Sequence, residues 1–171
     1  MKIDLKSLRD EVNYLSLEGT ADSLGLKIEW VEFPHPVKVN LRVLRSGKNY
    51  IGEGKVETVA LFECSRCLKK YSQTLKSDIR FLLKEEKDQI ILESEDRENL
   101  VQTGNFFRLD DLVRESLILS VPLKSLCQED CKGLCPTCGT DFNVTTCECK
   151  KEQIDPRWEK LKDLKSEKSK Q

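Results

Sequence analysis

The chain has 171 residues, of which 38% are hydrophobic and 35% charged, and its formal net charge is −1. This length suffices for one domain with its own core plus a small appendage, and it leaves little room for a two-domain enzyme. No apolar run approaches the length that a bilayer requires, and the N-terminus lacks the apolar block of a secretory signal. We therefore expect a cytoplasmic protein that does not contact a membrane.

Residues 1–34 carry two conflicting patterns. Ser7 followed by Asp10 is typical of a helix N-cap with an acid at the third helical position, and the same region also fits an irregular strand. Pro34 and Pro36 end this segment because both prolines exclude helix. The sequence leaves the fold of residues 1–34 open.

From Val37 the hydrophobic residues recur with a period of two, which is typical of half-buried strands. The predicted strands cover residues 37–45, 50–64, 71–83 and 89–92. A turn at 46–49 joins the first two into a hairpin. Gly52 and Gly54 indicate a bulge in the second strand. These strands predict an antiparallel sheet that is strongly twisted or curled.

Two helices are predicted beyond the sheet. Residues 108–122 have leucines at helical spacing and acids in the first turn, and Pro122 ends this helix. Asp155 followed by Pro156 is typical of a second helix start. That helix would place Trp158, Leu161 and Leu164 on one side.

Together these elements predict an α+β protein with a mainly antiparallel, curled β-sheet, flanking helices and a cysteine-rich, zinc-ribbon-like C-terminal module. The predicted parts are an N-terminal segment (1–34), a sheet domain with a packed helix (35–126), a metal-binding module (127–154) and a C-terminal helix with a disordered tail (155–171).

Six of the eight cysteines fall within residues 126–149, LCQEDCKGLCPTCGTDFNVTTCEC. Cytosolic thiols are kept reduced, so metal binding explains this density better than disulfides do. Cys135 and Cys138 flank Pro-Thr and precede a glycine, which has the form of a zinc knuckle. Cys147 and Cys149 would place both sulfurs on one side of an extended backbone. These four cysteines make one candidate tetrahedral site.

The other cysteines supply a second candidate site, which would join the sheet to the end of the helix. Its members are Cys64, Cys67, Cys127 and Cys131. Another partition stays open, with Cys127, Cys131, Cys135 and Cys138 in one site and Cys64, Cys67, Cys147 and Cys149 in the other. One or two zinc ions are expected; the alternatives are an iron–sulfur cluster and unrelated thiols.

The pattern does not favour an enzyme. A catalytic thiolate needs an activating base, and the one histidine, His35, lies between two prolines. Cys64 and Cys67 resemble a redox pair in spacing, but thioredoxin-like sites begin a helix, whereas strands flank this pair. No catalytic residue is predicted.

Charge is unevenly distributed along the chain. Residues 37–80 contain ten Lys and Arg against four Asp and Glu, whereas residues 84–99 contain seven acids against three bases. A basic sheet region is typical of a surface for a polyanion such as RNA. The alternative is a solvated face with internal salt bridges.

Several segments resemble the YceD family, the large ribosomal RNA subunit accumulation proteins. They are MKIDL, VKVNLRVLRSG, ECSRCLKKY, LDDLVRESLILSVPLKSLC, CKGLCPTCGTDFN with CEC, and IDPRWEKLKDL. They follow the order found in that family and cover most of the chain from residue 37 onward. The run EDCKGLCPTCG is the most specific of them.

The resemblance implies a role in accumulating or processing large-subunit ribosomal RNA, and it implies no catalytic residue. Arg66, Lys69 and Lys70, beside a metal knuckle, become candidates for contacting RNA phosphates. The expected partners are precursor large-subunit ribosomal RNA, a large-subunit ribosomal protein or both, with no small-molecule substrate. The pI of about 6.0 argues against a strong general RNA binder, so contact with a ribosomal protein is a serious alternative. A thiol-based redox or metal-delivery protein is the alternative.

Overall fold

The computed structural model describes residues 1–86, 89–93 and 100–149 together with Arg157. The chain divides into two compact units, residues 1–131 and residues 132–171. No helix in the described ranges is both long enough and apolar enough to span a membrane.

The first unit contains nine strands and one α-helix among the described residues. The strands are β1 (Lys2–Asp4), β2 (Val12–Gly19), β3 (Val31–Glu32), β4 (Val37–Ser46), β5 (Asn49–Glu63), β6 (Lys70–Glu86), β7 (Gln89–Glu93), β8 (Leu100–Thr103) and β9 (Phe106–Arg108), and the helix is α1 (Asp110–Ser120). Two short 3-10 helices, Leu5–Ser7 and Asp22–Leu24, lie on either side of β2.

Every strand pair among the described residues is antiparallel, so the predicted mainly antiparallel sheet is confirmed. The large sheet has the order β2-β4-β5-β6-β7-β8, and β3 pairs with the end of β5. β1 and β9 form a separate two-stranded sheet. The expectation of flanking helices in the plural is not supported, because the described part of the chain has one α-helix. The second predicted helix, which would start at Asp155 and Pro156, lies outside the described residues except for Arg157.

One face of the sheet forms the core. Buried and exposed residues alternate along β4 and β5, and the buried set includes Val39, Tyr50 and Phe62. The helix α1 buries Val113 and Leu117 against the same core. The period of two and the helical spacing in the sequence therefore reflect one shared apolar interior.

Residues 1–34 follow the strand alternative. Eight residues of β2 pair with β4, from Val12 opposite Leu44 to Gly19 opposite Val37. Ser7 does not begin a longer helix; it ends a 3-10 turn that Asp4 caps. Pairing with β2 satisfies the backbone groups along one edge of β4, which a helix at residues 7–15 would leave without partners in the sheet.

The predicted bulge at Gly52 and Gly54 is wrong. β5 pairs residue for residue with β4 and with β6 through both glycines. Both positions need glycine because side chains cover them: a Cβ at Gly52 would lie 2.0 Å from Phe81 Cζ, and one at Gly54 would lie 2.4 Å from Leu41 Cδ2. Close approach, rather than an extra residue, explains these glycines.

Candidate metal centres

The sheet cluster consists of Cys64, Cys67, Cys127 and Cys131, all in the first unit. Its four Sγ atoms lie within 4.8 Å of one another. The sulfurs of Cys64 and Cys131 are 3.8 Å apart, and those of Cys67 and Cys127 are 3.6 Å apart. A tetrahedron with metal–sulfur bonds of about 2.3 Å has sulfur–sulfur edges of about 3.8 Å. The sheet cluster therefore fits one metal ion.

The end of β5 forms the first knuckle. The Leu68 N–H donates to the Cys64 carbonyl oxygen at 2.9 Å, and the Cys64 N–H donates to the Lys69 carbonyl oxygen at 2.9 Å. Leu68 adopts a φ of 58°, in the left-handed region. This tight turn aims the sulfurs of Cys64 and Cys67 toward a common point.

Side chains of the first knuckle hold the segment that follows α1. Both the N–H and the hydroxyl of Ser65 donate to the Ser125 carbonyl oxygen, each at 2.9 Å. Arg66 donates to the carbonyl oxygen of Cys131. These contacts bring Cys127 and Cys131 to the end of β5 from about sixty residues away in sequence. No sequence motif pointed to the roles of Ser65 and Ser125.

The C-terminal cluster consists of Cys135, Cys138, Cys147 and Cys149, all in the second unit, and its sulfurs also lie within 4.8 Å of one another. Its knuckle repeats the first: the Gly139 N–H donates to the Cys135 carbonyl oxygen at 2.9 Å, and the Cys135 N–H donates to the Thr140 carbonyl oxygen at 2.8 Å. Gly139, with a φ of 73°, occupies the position of Leu68. The sequence left two partitions of the eight cysteines open. The structure brings together the first, with Cys64, Cys67, Cys127 and Cys131 in one cluster and the remaining four cysteines in the other.

Asp141 and Asn143 shape the turn between the two halves of the C-terminal cluster. The Asn143 N–H donates to Asp141 Oδ1 at 2.8 Å, and Asn143 Oδ1 accepts from the Lys132 N–H at 2.8 Å. The Phe142 N–H donates to the Gly133 carbonyl oxygen at 2.9 Å. Such side-chain bonds to the backbone are the reason that Asp and Asn favour turns.

The thiols of the sheet cluster differ widely in pKa. Burial raises the pKa of the Cys64 thiol, but the N–H groups of Cys127, Cys67 and Arg66 around its sulfur outweigh burial and lower the pKa to about 6. Burial and the neighbouring sulfurs of Cys67 and Cys64 raise the pKa of Cys127 to about 12. The first thiolate forms readily, and its negative charge then opposes deprotonation of the neighbouring thiols. A cation bound among the sulfurs would offset this repulsion between thiolates.

The C-terminal cluster has the same split. The hydroxyl and N–H of Thr140 lower the pKa of Cys138 to about 6. The Cys138 sulfur and burial raise the pKa of Cys149 to about 12. Four thiols with these affinities suit a thiolate-binding metal, because metal binding supplies the charge that favours the later deprotonations.

Leu68 and Gly139 occupy the same left-handed position in the two knuckles, and substitutions at the two positions should have opposite effects on stability. Leu68→Gly is expected to raise the free energy of unfolding by about 1 kcal/mol, because glycine adopts positive φ without the steric cost that leucine meets. Gly139→Leu is expected to weaken metal retention in the C-terminal cluster for the same reason. Thermal unfolding and chelator competition measure the two effects. A loss of stability in Leu68→Gly would show that the leucine side chain has a stabilising contact.

The side chains predicted to contact RNA lie beside the sheet cluster. Arg66 is engaged with the Cys131 carbonyl oxygen, and the Lys70 ammonium lies 3.0 Å from a Glu32 carboxylate oxygen. Lys69 is exposed. Arg66 therefore has a structural contact, whatever else it binds.

Acids from outside residues 37–80 offset part of the predicted basic surface. Lys38 on β4 lies 3.6 Å from Glu18 on β2, and Lys70 on β6 lies 3.0 Å from Glu32 on β3. Exposed pairs of this kind contribute little to stability, but they reduce the net charge of the face. The basic excess in that stretch of sequence is therefore smaller on the folded surface.

Two plant proteins are among the relatives of known name. The Arabidopsis thaliana protein named large ribosomal RNA subunit accumulation protein YCED homolog 1, chloroplastic, is 23% identical over 86% of this chain and 55% of its own length. Its Zea mays counterpart of the same name is 26% identical over 80% of this chain and 54% of its own length. The chain spans about half the length of these relatives.

An uncharacterized protein of Mycobacterium leprae is 27% identical over 88% of this chain and 70% of its own length. No solved structure matches the chain. The family described as large ribosomal RNA subunit accumulation protein YceD matches residues 52–165, a range that contains all eight cysteines. The chain belongs to the YceD family.

Proposed function

We propose that this protein promotes accumulation of the large ribosomal RNA subunit in the cytoplasm. It acts without catalysis, by binding RNA or a ribosomal protein, and two structural zinc ions stabilise its fold. The observation that carries the proposal is the family match, which spans both cysteine clusters. The Arabidopsis and maize relatives are named for accumulation of the large ribosomal RNA subunit.

Zinc is the metal that the donor sets favour. Each cluster offers four thiol sulfurs at separations suited to a tetrahedron, and structural zinc sites commonly have four cysteine ligands. An iron–sulfur cluster also accepts four thiolates. Native mass spectrometry of the reduced protein distinguishes them: two zinc masses per chain support the proposal, and iron with sulfide, or visible absorbance, contradicts it.

The proposed partner is precursor large-subunit ribosomal RNA, a large-subunit ribosomal protein or both. For RNA, Lys69 and Lys70 at the sheet cluster supply the phosphate contacts, with Arg66 beside them. Because Arg66 also holds the Cys131 carbonyl oxygen, its replacement would disturb the cluster as well as the surface. A clean test therefore changes the two lysines and keeps the arginine.

Cells that lack the protein are expected to have a reduced ratio of large-subunit to small-subunit ribosomal RNA, which the wild-type chain restores. On a low-salt sucrose gradient, the protein is expected to migrate with large-subunit precursors. Lys69→Gln with Lys70→Gln should weaken this co-migration, because phosphate contacts require the positive charges. The matched control is Lys38→Gln with Lys76→Gln on the sheet face.

Full co-migration of the Lys69 and Lys70 variant would exclude this surface as the contact. A normal ribosomal RNA ratio in cells without the protein would overturn the proposed role itself. The two outcomes are read from different measurements, so failure of the contact and failure of the function remain distinguishable.

One observation favours the alternative of a thiol-based redox or metal-delivery protein: Cys138 is exposed. Alkylation under reducing conditions separates the two functions. Structural zinc should block all eight thiols until a chelator is added, whereas a redox or delivery protein should react at Cys138 without a chelator.

A further inference from the structure

A small pocket lies beside β3 and the ends of β5 and β6, within the first unit. It has a volume of about 230 Å³, and its walls include Trp30, Glu29, Glu32, Phe62 and Glu63. This volume is below the range of about 300–1,000 Å³ that is common for small-molecule sites. The pocket therefore suits the end of one side chain better than a whole cofactor.

The exposed indole of Trp30 forms one wall. Trp30 is 53% exposed, although tryptophan is among the residues that gain most from burial. Its ring lies 6.5 Å from the Phe62 ring between centroids, and Phe62 stacks on Tyr71 at 5.8 Å. The buried rings fix the indole at one side, and more than half of its surface remains available to a ligand.

The charges around this indole are mainly negative. Three glutamates, Glu29, Glu32 and Glu63, line the pocket with one lysine, Lys70, which leaves a balance of −2. Glu32 already binds the Lys70 ammonium at 3.0 Å. In the described part of the chain, Glu29 and Glu63 have no ion-pair partner within 4.0 Å.

The chain's own lysine shows which chemistry this pocket accepts. The Glu32 carboxylate raises the pKa of Lys70 through their hydrogen bond and charge attraction, so the rim stabilises an ammonium group. The face of an indole attracts cations as well, through the negative potential of its ring. The indole face and the carboxylates are independent features of the pocket, and each attracts a cation.

We propose that the pocket of Trp30, Glu29 and Glu63 binds a lysine or arginine side chain from a basic segment of a partner protein. The cationic group lies against the indole, with the two glutamates as its counter-ions. A nucleic acid is the wrong occupant of the pocket itself, because its three carboxylates outnumber the one lysine and repel a phosphate backbone. The RNA contact proposed for Lys69 and Lys70 therefore lies outside the pocket and depends mainly on Lys69, since Glu32 offsets the charge of Lys70. This inference goes beyond the proposed role in ribosomal RNA accumulation and does not depend on it.

Tryptophan fluorescence of the purified protein tests the proposal. The chain has two tryptophans, so Trp158→Phe leaves Trp30 as the reporter. The probe is a capped Gly-Ser-Lys repeat peptide, and its control has every lysine acetylated. The lysine peptide is expected to change Trp30 emission saturably, with binding that weakens as salt increases. The acetylated peptide is expected to cause no saturable change.

Matched variants locate the binding site. Glu29→Gln with Glu63→Gln should weaken binding of the lysine peptide about fivefold to tenfold, because two counter-ions are removed without a change in shape. Glu53→Gln with Glu57→Gln, on the exposed face of β5, should leave binding unchanged.

Equal affinity for the lysine and acetylated peptides, or unchanged affinity in the Glu29 and Glu63 variant, would overturn the proposal. A saturable change of Trp30 emission with an oligouridine RNA that persists in the Lys69→Gln, Lys70→Gln variant would also overturn it, because the pocket rather than the two lysines would then bind nucleic acid. Neither result bears on ribosomal RNA levels in cells, so failure here leaves the proposed function standing.

Discussion

Removal of metal is expected to unfold residues 132–149 while the sheet of the first unit stays folded. Within 132–149 the buried residues are Gly133 and Cys135, so this segment has no apolar core of its own. The first unit, in contrast, buries a continuous cluster of apolar side chains from Ile3 to Leu117. Structural zinc contributes on the order of 10 kcal/mol to the folding of small zinc domains.

Hydrogen exchange with a chelator under reducing conditions measures this difference. Amides in 132–149 should lose all protection, whereas amides in β4, β5 and β6 should keep theirs. If the chelated protein exchanged like the untreated one, the clusters would not be metal sites that support the fold. Loss of protection in both units would mean that the sheet also depends on its metal.

Serine variants separate the two clusters. Cys135→Ser should remove one metal and affect only the second unit. Cys64→Ser should remove the other metal and lower the free energy of unfolding of the first unit by roughly 4 kcal/mol, the entropic value of a cross-link that closes a loop of about sixty residues. Native mass spectrometry counts the metals, and denaturant unfolding gives the free energy. Loss of both metals in either variant would contradict two independent sites.

The local form of the candidate metal sites was predictable from the sequence, but the partition of the cysteines between them was not. A Cys-x-x-Cys spacing places two sulfurs on one turn, so both knuckles are visible in the chain itself. Which distant pair completes each site depends on the end of α1 returning to the end of β5, where Ser65 and Arg66 hold the backbone of Ser125 and Cys131. No pattern within the sequence encodes that return.

The charge of the folded surface also depends on contacts between segments that are distant in the sequence. A count over residues 37–80 finds a basic excess, but Glu18 and Glu32, which pair with Lys38 and Lys70, precede that range in the chain. Strand pairing brings them beside the lysines, and a count along the sequence cannot include them. For the same reason, the acidic surroundings of Trp30 emerge only after β3 has paired with β5.

Gly52→Ala is expected to lower the free energy of unfolding of the first unit by about 3 kcal/mol. The new methyl group would lie within 2.5 Å of three atoms of the Phe81 ring. That ring is buried and packs on Phe107 at 5.3 Å between centroids, so it cannot move aside without disturbing the core. Overpacking of this kind costs about 1–3 kcal/mol, and the rigid sheet on both sides of Gly52 favours the upper end.

Two further variants identify the cause of this loss in denaturant unfolding. Gly47→Ala, in an exposed turn with a φ of 59° and no atom near the added Cβ, reports the cost of a left-handed backbone, about 1 kcal/mol. Gly52 has no left-handed φ, so its loss should come from the contact with Phe81 and not from this backbone cost. Phe81→Leu combined with Gly52→Ala should cost less than the sum of the two single changes, because the smaller side chain makes room for the methyl group. Additive costs would show that the contact with the Phe81 ring is not the cause of the loss.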